Sequence, residues 1–259
     1  MALTLRPGGA LLPALLFVLG LALVTPAATP VTPPTSGPVA EAWALFRSFH
    51  EDLARIDRAR ELLERSVARE PTLDALLLLG WVHLTWADLR ATSLDEKLAG
   101  YERGRDVAKR AVELDPRSPE AHLWYAANLG RWAIAKGKLR AAFLLGTLKE
   151  EIETVLRLDP NHVGGLALAG SFYLETPGLM GGDLARAEAY ERKALGLDPH
   201  FTRARVELAK CLIERRRYAE ARRELQQVLD ERAPTYVADW VVRHRPTAER
   251  LLAQLRDKS

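Results

Sequence analysis

A short phrase ending in proline recurs through the chain at nearly regular intervals, and no other feature constrains the fold as strongly. Its four clear copies end at Pro71, Pro116, Pro160 and Pro199, and a degraded copy ends at Pro234. Each copy has the pattern of the last turn of an amphipathic helix, which the proline stops because it lacks a backbone N–H and clashes with the preceding turn. Self-similarity at such a period predicts a solenoid of stacked helical units.

The spacing of these prolines indicates the kind of unit. The intervals are 45, 44, 39 and 35 residues, and a tetratricopeptide (TPR) unit is two antiparallel helices of about 34 residues in total. In the last interval Ala221 of the second helix follows the small residue Ala209 of the first helix by twelve positions, as a TPR unit requires. In the second interval, between Pro116 and Pro160, Leu148 follows Ala126 by twenty-two positions. The extra residues therefore lie at the hairpin tips, so we expect longer helices or loops in the early repeats.

The fold class that follows is an all-α, TPR-like α-solenoid of antiparallel helix hairpins, with elongated early repeats and a C-terminal capping helix. Good helix formers (Ala, Leu, Glu and Arg) dominate the chain beyond its first forty residues, which agrees with this class. The expected helices are a leading one at 41–69, pairs at 73–90 with 95–114, 118–136 with 139–158, 162–175 with 183–197 and 201–215 with 218–231, and a final one at 246–257. The final helix is expected as a cap because repeats cannot bury their end faces alone.

The first forty residues have a different character. Residues 1–28 have the pattern of a secretory signal peptide: Arg6 precedes an apolar run over 10–24, and small residues follow it. Residues 29–40 form a proline-rich linker with no capacity to build a core, and residues 41–259 form the TPR-like domain. We therefore expect an exported, periplasmic protein, with an uncleaved N-terminal membrane anchor as the alternative.

Charge and cysteine content narrow the function. The 37 basic residues are nearly balanced by 34 acidic ones, which argues against nucleic acid as a partner. The lone Cys211 rules out an intrachain disulfide. The six histidines lack metal-ligand spacing, and the chain has no nucleophile elbow, Walker loop or dinucleotide fingerprint. We expect a non-enzymatic protein with no catalytic residues, metal or cofactor.

The candidate binding residues are aromatic and polar side chains on two first helices. The helix at 118–136 presents several of them at spacings of three and four, which place side chains on one face, and the helix at 73–90 would lie beside it. The set is Trp81, Trp86, Trp124, Tyr125, Asn128, Arg131 and Trp132. Together they could line a pocket for a ligand with an anionic group, although packing between repeats explains the aromatic residues as well.

Two segments are more distinctive than a generic repeat: AHLWYAANLGRW at 121–132 and TPGLMGGD at 176–183. Together they resemble the TatT family, TPR proteins associated with periplasmic TRAP transporters, and the first is also similar to regulators of microtubule dynamics. The TatT resemblance implies a periplasmic solute-binding protein as partner, a small hydrophobic ligand and a homo-oligomer. It does not extend to lipid attachment, because no cysteine follows the apolar run. The alternative is a general protein–protein interaction adaptor of the cell envelope with a peptide-binding groove.

Overall fold

The structure, a computed structural model, describes residues 36–258, and within this range its regular elements are all helical. The predicted signal peptide and most of the predicted linker lie outside the described residues. The helices are α1 (Gly37–Phe46), α2 (Ala54–Arg69), α3 (Leu73–Leu89), α4 (Leu94–Leu114), α5 (Pro119–Lys136), α6 (Lys138–Leu158), α7 (Val163–Glu175), α8 (Leu184–Leu197), α9 (Thr202–Glu214), α10 (Tyr218–Asp230), α11 (Val237–Asp239) and α12 (Arg245–Gln254). None of the described helices is long and apolar enough to span a membrane.

Four consecutive hairpins, α3/α4, α5/α6, α7/α8 and α9/α10, stack side by side and confirm the predicted solenoid. Polar residues begin several of these helices by accepting backbone N–H bonds, as N-caps do: Thr72, Ser93, Ser118 and Asp183. The helices of the first two hairpins have 17 to 21 residues. Those of the last two have 13 or 14. The first two hairpins are therefore elongated through longer helices. In the third hairpin, α7/α8, the extra residues instead form a loop with a 3₁₀ turn at Gly178–Met180.

The prediction of one leading helix at 41–69 is wrong, because two helices occupy this region. The first begins at Gly37, so residues 37–40 are helical rather than part of the linker. The break follows from local side-chain bonds that compete with the helix. Ser48 Oγ donates to the carbonyl of Ala44, and the Asp52 carboxylate accepts from the N–H of Ala54.

The prediction of a final helix at 246–257 is also corrected. Helical backbone begins at Val237, passes through a π turn at Trp240–His244, and ends at Gln254. Pro246 has no N–H to donate, so it marks the change from the π turn to α12 and not the start of the helical segment. The cap itself is present, because α12 packs against α10.

Residues 235–247, the C-terminal segment, lie against the first helices of the repeats. Thr235 Oγ1 donates to Asp198 at 2.6 Å. The ring of Tyr236 meets that of Trp81 at a centroid distance of 5.1 Å and nearly a right angle. These contacts place the C-terminal segment across the inner face of the solenoid and position the site described next.

Candidate functional site

A cavity of about 880 Å³ lies on the inner face of the solenoid. Its walls come from α3, α5, α6, α7 and α9 and from the C-terminal segment. The space exists because α6 packs along α5 but touches α7 little. Pockets that hold small molecules have volumes of roughly 300–1,000 Å³, so this cavity is large enough for a ligand.

One end of the cavity is apolar. The α5 wall carries small residues, among them Ala126, Gly130 and Ala133, and larger side chains close the space from α6 and α7. These larger residues are Leu145, Leu148, Ile152, Leu168 and Phe172. Small residues facing large ones leave a slot between helices that a hydrocarbon group could fill, because burying apolar surface is favourable.

Stacked aromatic rings form the middle of the cavity wall. Trp81 and Trp124 stack with centroids 4.8 Å apart and planes 17° apart, and Tyr236 meets Trp81 edge-on. The Nε1 atom of Trp124 and the hydroxyl of Tyr236 are buried and have no hydrogen-bond partner within residues 36–258. Buried polar groups normally find partners, so these two groups are exceptions within the described residues, and as placed neither is exposed to the cavity.

The other end of the cavity is charged and centres on Asp88. Arg131 Nη2 donates to Asp88 Oδ1 at 2.6 Å, and Arg243 Nη1 donates to Asp88 Oδ2 at 2.9 Å. The Tyr101 hydroxyl donates to the same carboxylate. Burial opposes ionisation of Asp88, but the two arginines outweigh it and lower the pKa of this carboxyl below its usual range. Burial, followed by the charge of Asp88, raises the pKa of Tyr101 to about 12.

Further charged residues line this end on α7 and α9. Lys210 Nζ donates to Glu207 Oε1 at 2.7 Å. Burial, and then the charge of Glu207, raises the pKa of Glu175. Burial, and then Arg203, lowers the pKa of His244 to about 3, so this ring is neutral at neutral pH. The arrangement can bind an ionised or strongly polar head group and has apolar volume beside it.

Three of the seven predicted site residues line the cavity: Trp81, Trp124 and Arg131. Trp86 does not, because its Nε1 donates to Asp57 at 2.7 Å while the guanidinium of Arg60 covers its ring at 4.3 Å. The structure thus places Trp86 in the packing between α2 and α3.

The other three predicted residues, Tyr125, Asn128 and Trp132, also lie outside the cavity wall. Asn128 is fully buried and donates through Nδ2 to the carbonyls of Gly80 and Trp124, which ties α5 to α3. Tyr125 packs against the large core cluster. Trp132 is half-buried near the hairpin tip, surrounded by basic side chains.

Sequence reasoning missed the contributions of α6 and the C-terminal segment. The stretch TYVADWVVRHR at 235–245 mixes aromatic, apolar and charged residues, a composition that suits a segment lying across a groove. The described residues contain no group of three His, Cys, Asp or Glu side chains arranged to hold a metal ion.

The fold, the stacked hairpins and the inner-face cavity define a TPR protein, and residues 179–239 match a family model described as tetratricopeptide repeat. Residues 46–179, just over half of the chain, match the model described as regulator of microtubule dynamics protein 1-3. The chain therefore belongs to the regulator of microtubule dynamics protein 1-3 family.

One individual relative and one solved structure are also similar to the chain. Regulator of microtubule dynamics protein 1 of Mus musculus is 33% identical over 87 residues, which cover 32% of this chain and 28% of the mouse protein. The chain thus matches less than a third of that relative's length. The crystal structure of a thermophilic TPR protein of Thermus thermophilus is 21% identical with a TM-score of 0.61, covering 81% of this chain and 96% of that one. This likeness shows the fold alone.

Proposed function

We propose that this protein is a non-enzymatic TPR-type binding protein that holds an amphipathic small molecule in its inner-face cavity. The observation that carries this proposal is the cavity of about 880 Å³, with its apolar slot at one end and its charged residues at the other. Proteins of the TPR class are typically binding scaffolds rather than enzymes, and the fold positions the site without fixing its ligand.

The lining suggests how such a ligand lies. Its hydrocarbon part would fill the slot between α5, α6 and α7, and an anionic head group would lie at the charged end. Arg131 and Arg243 are already paired with Asp88, whereas Arg203 lines the cavity without a salt bridge to any residue in the described range. An anionic group beside Arg203 would form a charge-assisted hydrogen bond, which is stronger than a neutral one.

The position of the C-terminal segment favours a small ligand over a partner peptide on the inner face. A peptide-binding TPR adaptor needs an open groove, and residues 235–247 lie across this one. We therefore place the contact with a partner protein on another surface of the solenoid.

Binding of dansyl-undecanoic acid, a fluorescent carboxylate with a long hydrocarbon chain, tests the proposal. Ala142 of α6 lines the cavity, and Ala135 of α5 is similarly half-buried but does not. We expect saturable binding at one site, weakened about tenfold or more, or roughly 1.4 kcal/mol, by Ala142→Trp and unchanged by the control Ala135→Trp. Equal binding by both variants would exclude the cavity as the site.

We extend the proposal to location and partner on the basis of the sequence: an exported periplasmic protein that works with a solute-binding protein of a TRAP-type system, as the resemblance to TatT implies. Cell fractionation followed by affinity purification tests this. Recovery of a solute-binding protein from the periplasm would support it. Recovery of envelope assembly proteins would favour the general adaptor, and retention in the membrane fraction would favour the N-terminal anchor.

The family match over residues 46–179 favours a second candidate, a role in microtubule dynamics, as the family description states. Co-sedimentation with polymerised tubulin tests it. Saturable binding that persists at physiological salt would support this role, and a chain that stays in the supernatant would exclude direct microtubule binding.

A further inference from the structure

Exposed apolar side chains concentrate at the hairpin tips. Within the described residues, six of the eight exposed large hydrophobic residues lie there: Leu94, Ile134, Leu139, Phe143, Leu179 and Met180. Stacked antiparallel hairpins place their tips along one edge of a solenoid, so these side chains share an edge. Single exposed apolar residues are ordinary, but a group of them on one surface marks an interaction site.

The tip of the α5/α6 hairpin, residues 131–143, carries the largest share of this surface. Leu139 and Phe143 are one turn apart on the same face of α6, and each is 75% exposed. Ile134 lies across the turn on α5 and is 53% exposed. The buried residues of α6 begin only at Leu148, so its first half stands out from the core.

The charge carried by the tip itself has one sign, and the nearby carboxylates of Glu102 and Asp106 on α4 are paired with Arg105, which lies over the Trp132 ring. Residues 121–149 contain no Asp or Glu. Lys136, Lys138 and Arg140 at the tip form no ion pair within the described residues, whereas Arg131 is paired with Asp88 and Lys149 with Glu153. The half-buried ring of Trp132 lies 5.7 Å from Lys136 Nζ and 5.8 Å from the guanidinium carbon of Arg140. Apolar residues, a tryptophan and interleaved basic residues are the combination that binds at the interface of an anionic bilayer.

We propose that the hairpin tip at 131–143 docks on the surface of an anionic lipid bilayer. Leu139 and Phe143 would enter the boundary between head groups and acyl chains, and the basic residues would lie against lipid phosphates. The basic charge of the tip is complementary to such a surface, because a polybasic patch is attracted to anionic lipids.

The loop between α7 and α8 adds a second apolar contact beside this tip. Leu179 is fully exposed and Met180 is 46% exposed. Met180, Ile134 and Lys138 also line the cavity, so the apolar end of the cavity reaches the surface where the bilayer would lie. Docking goes beyond ligand binding and is measured separately from it.

Vesicle flotation of the full chain tests the proposal, with vesicles of three parts phosphatidylcholine to one part phosphatidylglycerol compared with phosphatidylcholine alone. The double variant Leu139→Asp/Phe143→Asp removes the apolar contact, and Lys136→Gln/Arg140→Gln removes two charges outside the cavity lining. Leu114→Asp is the control, because Leu114 is 55% exposed at the opposite edge, at the end of α4. Every protein retains the apolar sequence at 10–24, so differences between variants report on the tip.

We expect the wild type and Leu114→Asp to bind the anionic vesicles equally. Both tip variants should bind at least about tenfold more weakly. Each basic residue near an anionic bilayer contributes roughly a factor of five, so losing two corresponds to roughly 25-fold, and the two aspartates replace an apolar contact with charge that the bilayer repels. Vesicle binding by Leu139→Asp/Phe143→Asp equal to that of the wild type would overturn the proposal. So would sedimentation showing that this variant only dissociates a dimer, which would assign the tip to a second copy of the chain.

Two controls keep these outcomes separate. Circular dichroism melting establishes that each variant is folded. Dansyl-undecanoic acid binding without vesicles reports on the cavity alone, so a failure of the ligand proposal does not decide the docking result, and the reverse also holds.

Discussion

The Arg243 guanidinium lies 2.9 Å from the Asp88 carboxylate, although 155 residues separate them in sequence. Asp88 is at the end of α3 and Arg243 is in the C-terminal segment, and Arg131 of α5 meets the same carboxylate at 2.6 Å. Three parts of the chain therefore converge on one buried acid. The Arg243–Asp88 contact and the Tyr236–Trp81 ring contact hold the C-terminal segment across the TPR groove, so the segment closes one side of the cavity.

Loss of the Arg243–Asp88 contact should make the C-terminal segment less stably packed. We expect Arg243→Gln to lower the free energy of unfolding by about 1–3 kcal/mol, because the charged contacts with Asp88 and with Asp239 are both lost while Asp88 keeps Arg131. Hydrogen exchange at 236–247 should become faster and exchange in α3 should not. Arg245→Gln is the matched control, since the contacts of Arg245, with the exposed Glu249 and with the Trp240 ring, do not involve Asp88. Unchanged exchange in Arg243→Gln would mean that the ion pair does not hold the segment.

The close contact between α4 and α5 requires glycine, which has no side chain, at position 104. A Cβ atom at Gly104 would lie 2.1 Å from Asn128 Oδ1, which is too close for any real contact. We expect Gly104→Ala to lower the free energy of unfolding by roughly 1–3 kcal/mol through overpacking. A Cβ at Gly146 of α6 would meet nothing within 4 Å, so Gly146→Ala should stabilise the protein by about 0.5–1 kcal/mol, since alanine favours helix. Urea denaturation measures both, and a destabilisation shared by both variants would contradict this view.

His244 should make stability depend on pH. Burial lowers its pKa in the folded protein to about 3 from an ordinary value of 6.5. Between these values the unfolded chain binds a proton that the folded protein does not, so stability falls as the pH falls below about 6.5. His244→Gln removes this effect. From about pH 6 to about pH 4, the wild type should lose roughly 1.4 kcal/mol per pH unit relative to the variant.

Groups that titrate in both the wild type and His244→Gln contribute equally to the stability of each, so they cancel in the difference between the two. The charged groups that act on His244, which are Arg203, Arg243 and Lys210, are present in each. His200→Gln serves as the control, because the His200 side chain is exposed and its contact, with Glu231, lies outside the cavity. A constant difference between wild type and His244→Gln over this range would show that His244 is protonated within the fold.

Cys211 should be inert in the native protein. It is fully buried, its thiol donates to the carbonyl of Leu184 at 3.1 Å, and burial raises its pKa to about 11. Because the thiolate is the reactive form, we expect Ellman's reagent to label the folded protein at least roughly a thousandfold more slowly than the urea-unfolded chain. Rapid labelling without denaturant would place Cys211 at the surface.

Local sequence signals were sufficient for most of the helices. Proline stops, N-cap residues and the period of small residues act within one or two turns, so the paired helices from α3 to α10 lie within one or two residues of the predicted bounds. The break between α1 and α2 was missed because it depends on side-chain bonds of Ser48 and Asp52, which a hydrophobic period does not reveal.

The site was less accessible to sequence reasoning because it depends on long-range packing. Spacing on α5 brought Trp124 and Arg131 into one candidate set, and both line the cavity. The same spacing included Asn128, whose amide instead joins two helices through Gly80. No local pattern places Arg243 against Asp88, since that contact requires the curvature of the whole solenoid.

A crystal structure of the protein with dansyl-undecanoic acid bound would show directly whether the inner-face cavity holds an amphipathic ligand. We expect the hydrocarbon chain between α5, α6 and α7, the carboxylate beside Arg203, and the Arg243–Asp88 contact intact. Acid bound outside the cavity, or a C-terminal segment lying away from the first helices, would contradict this expectation.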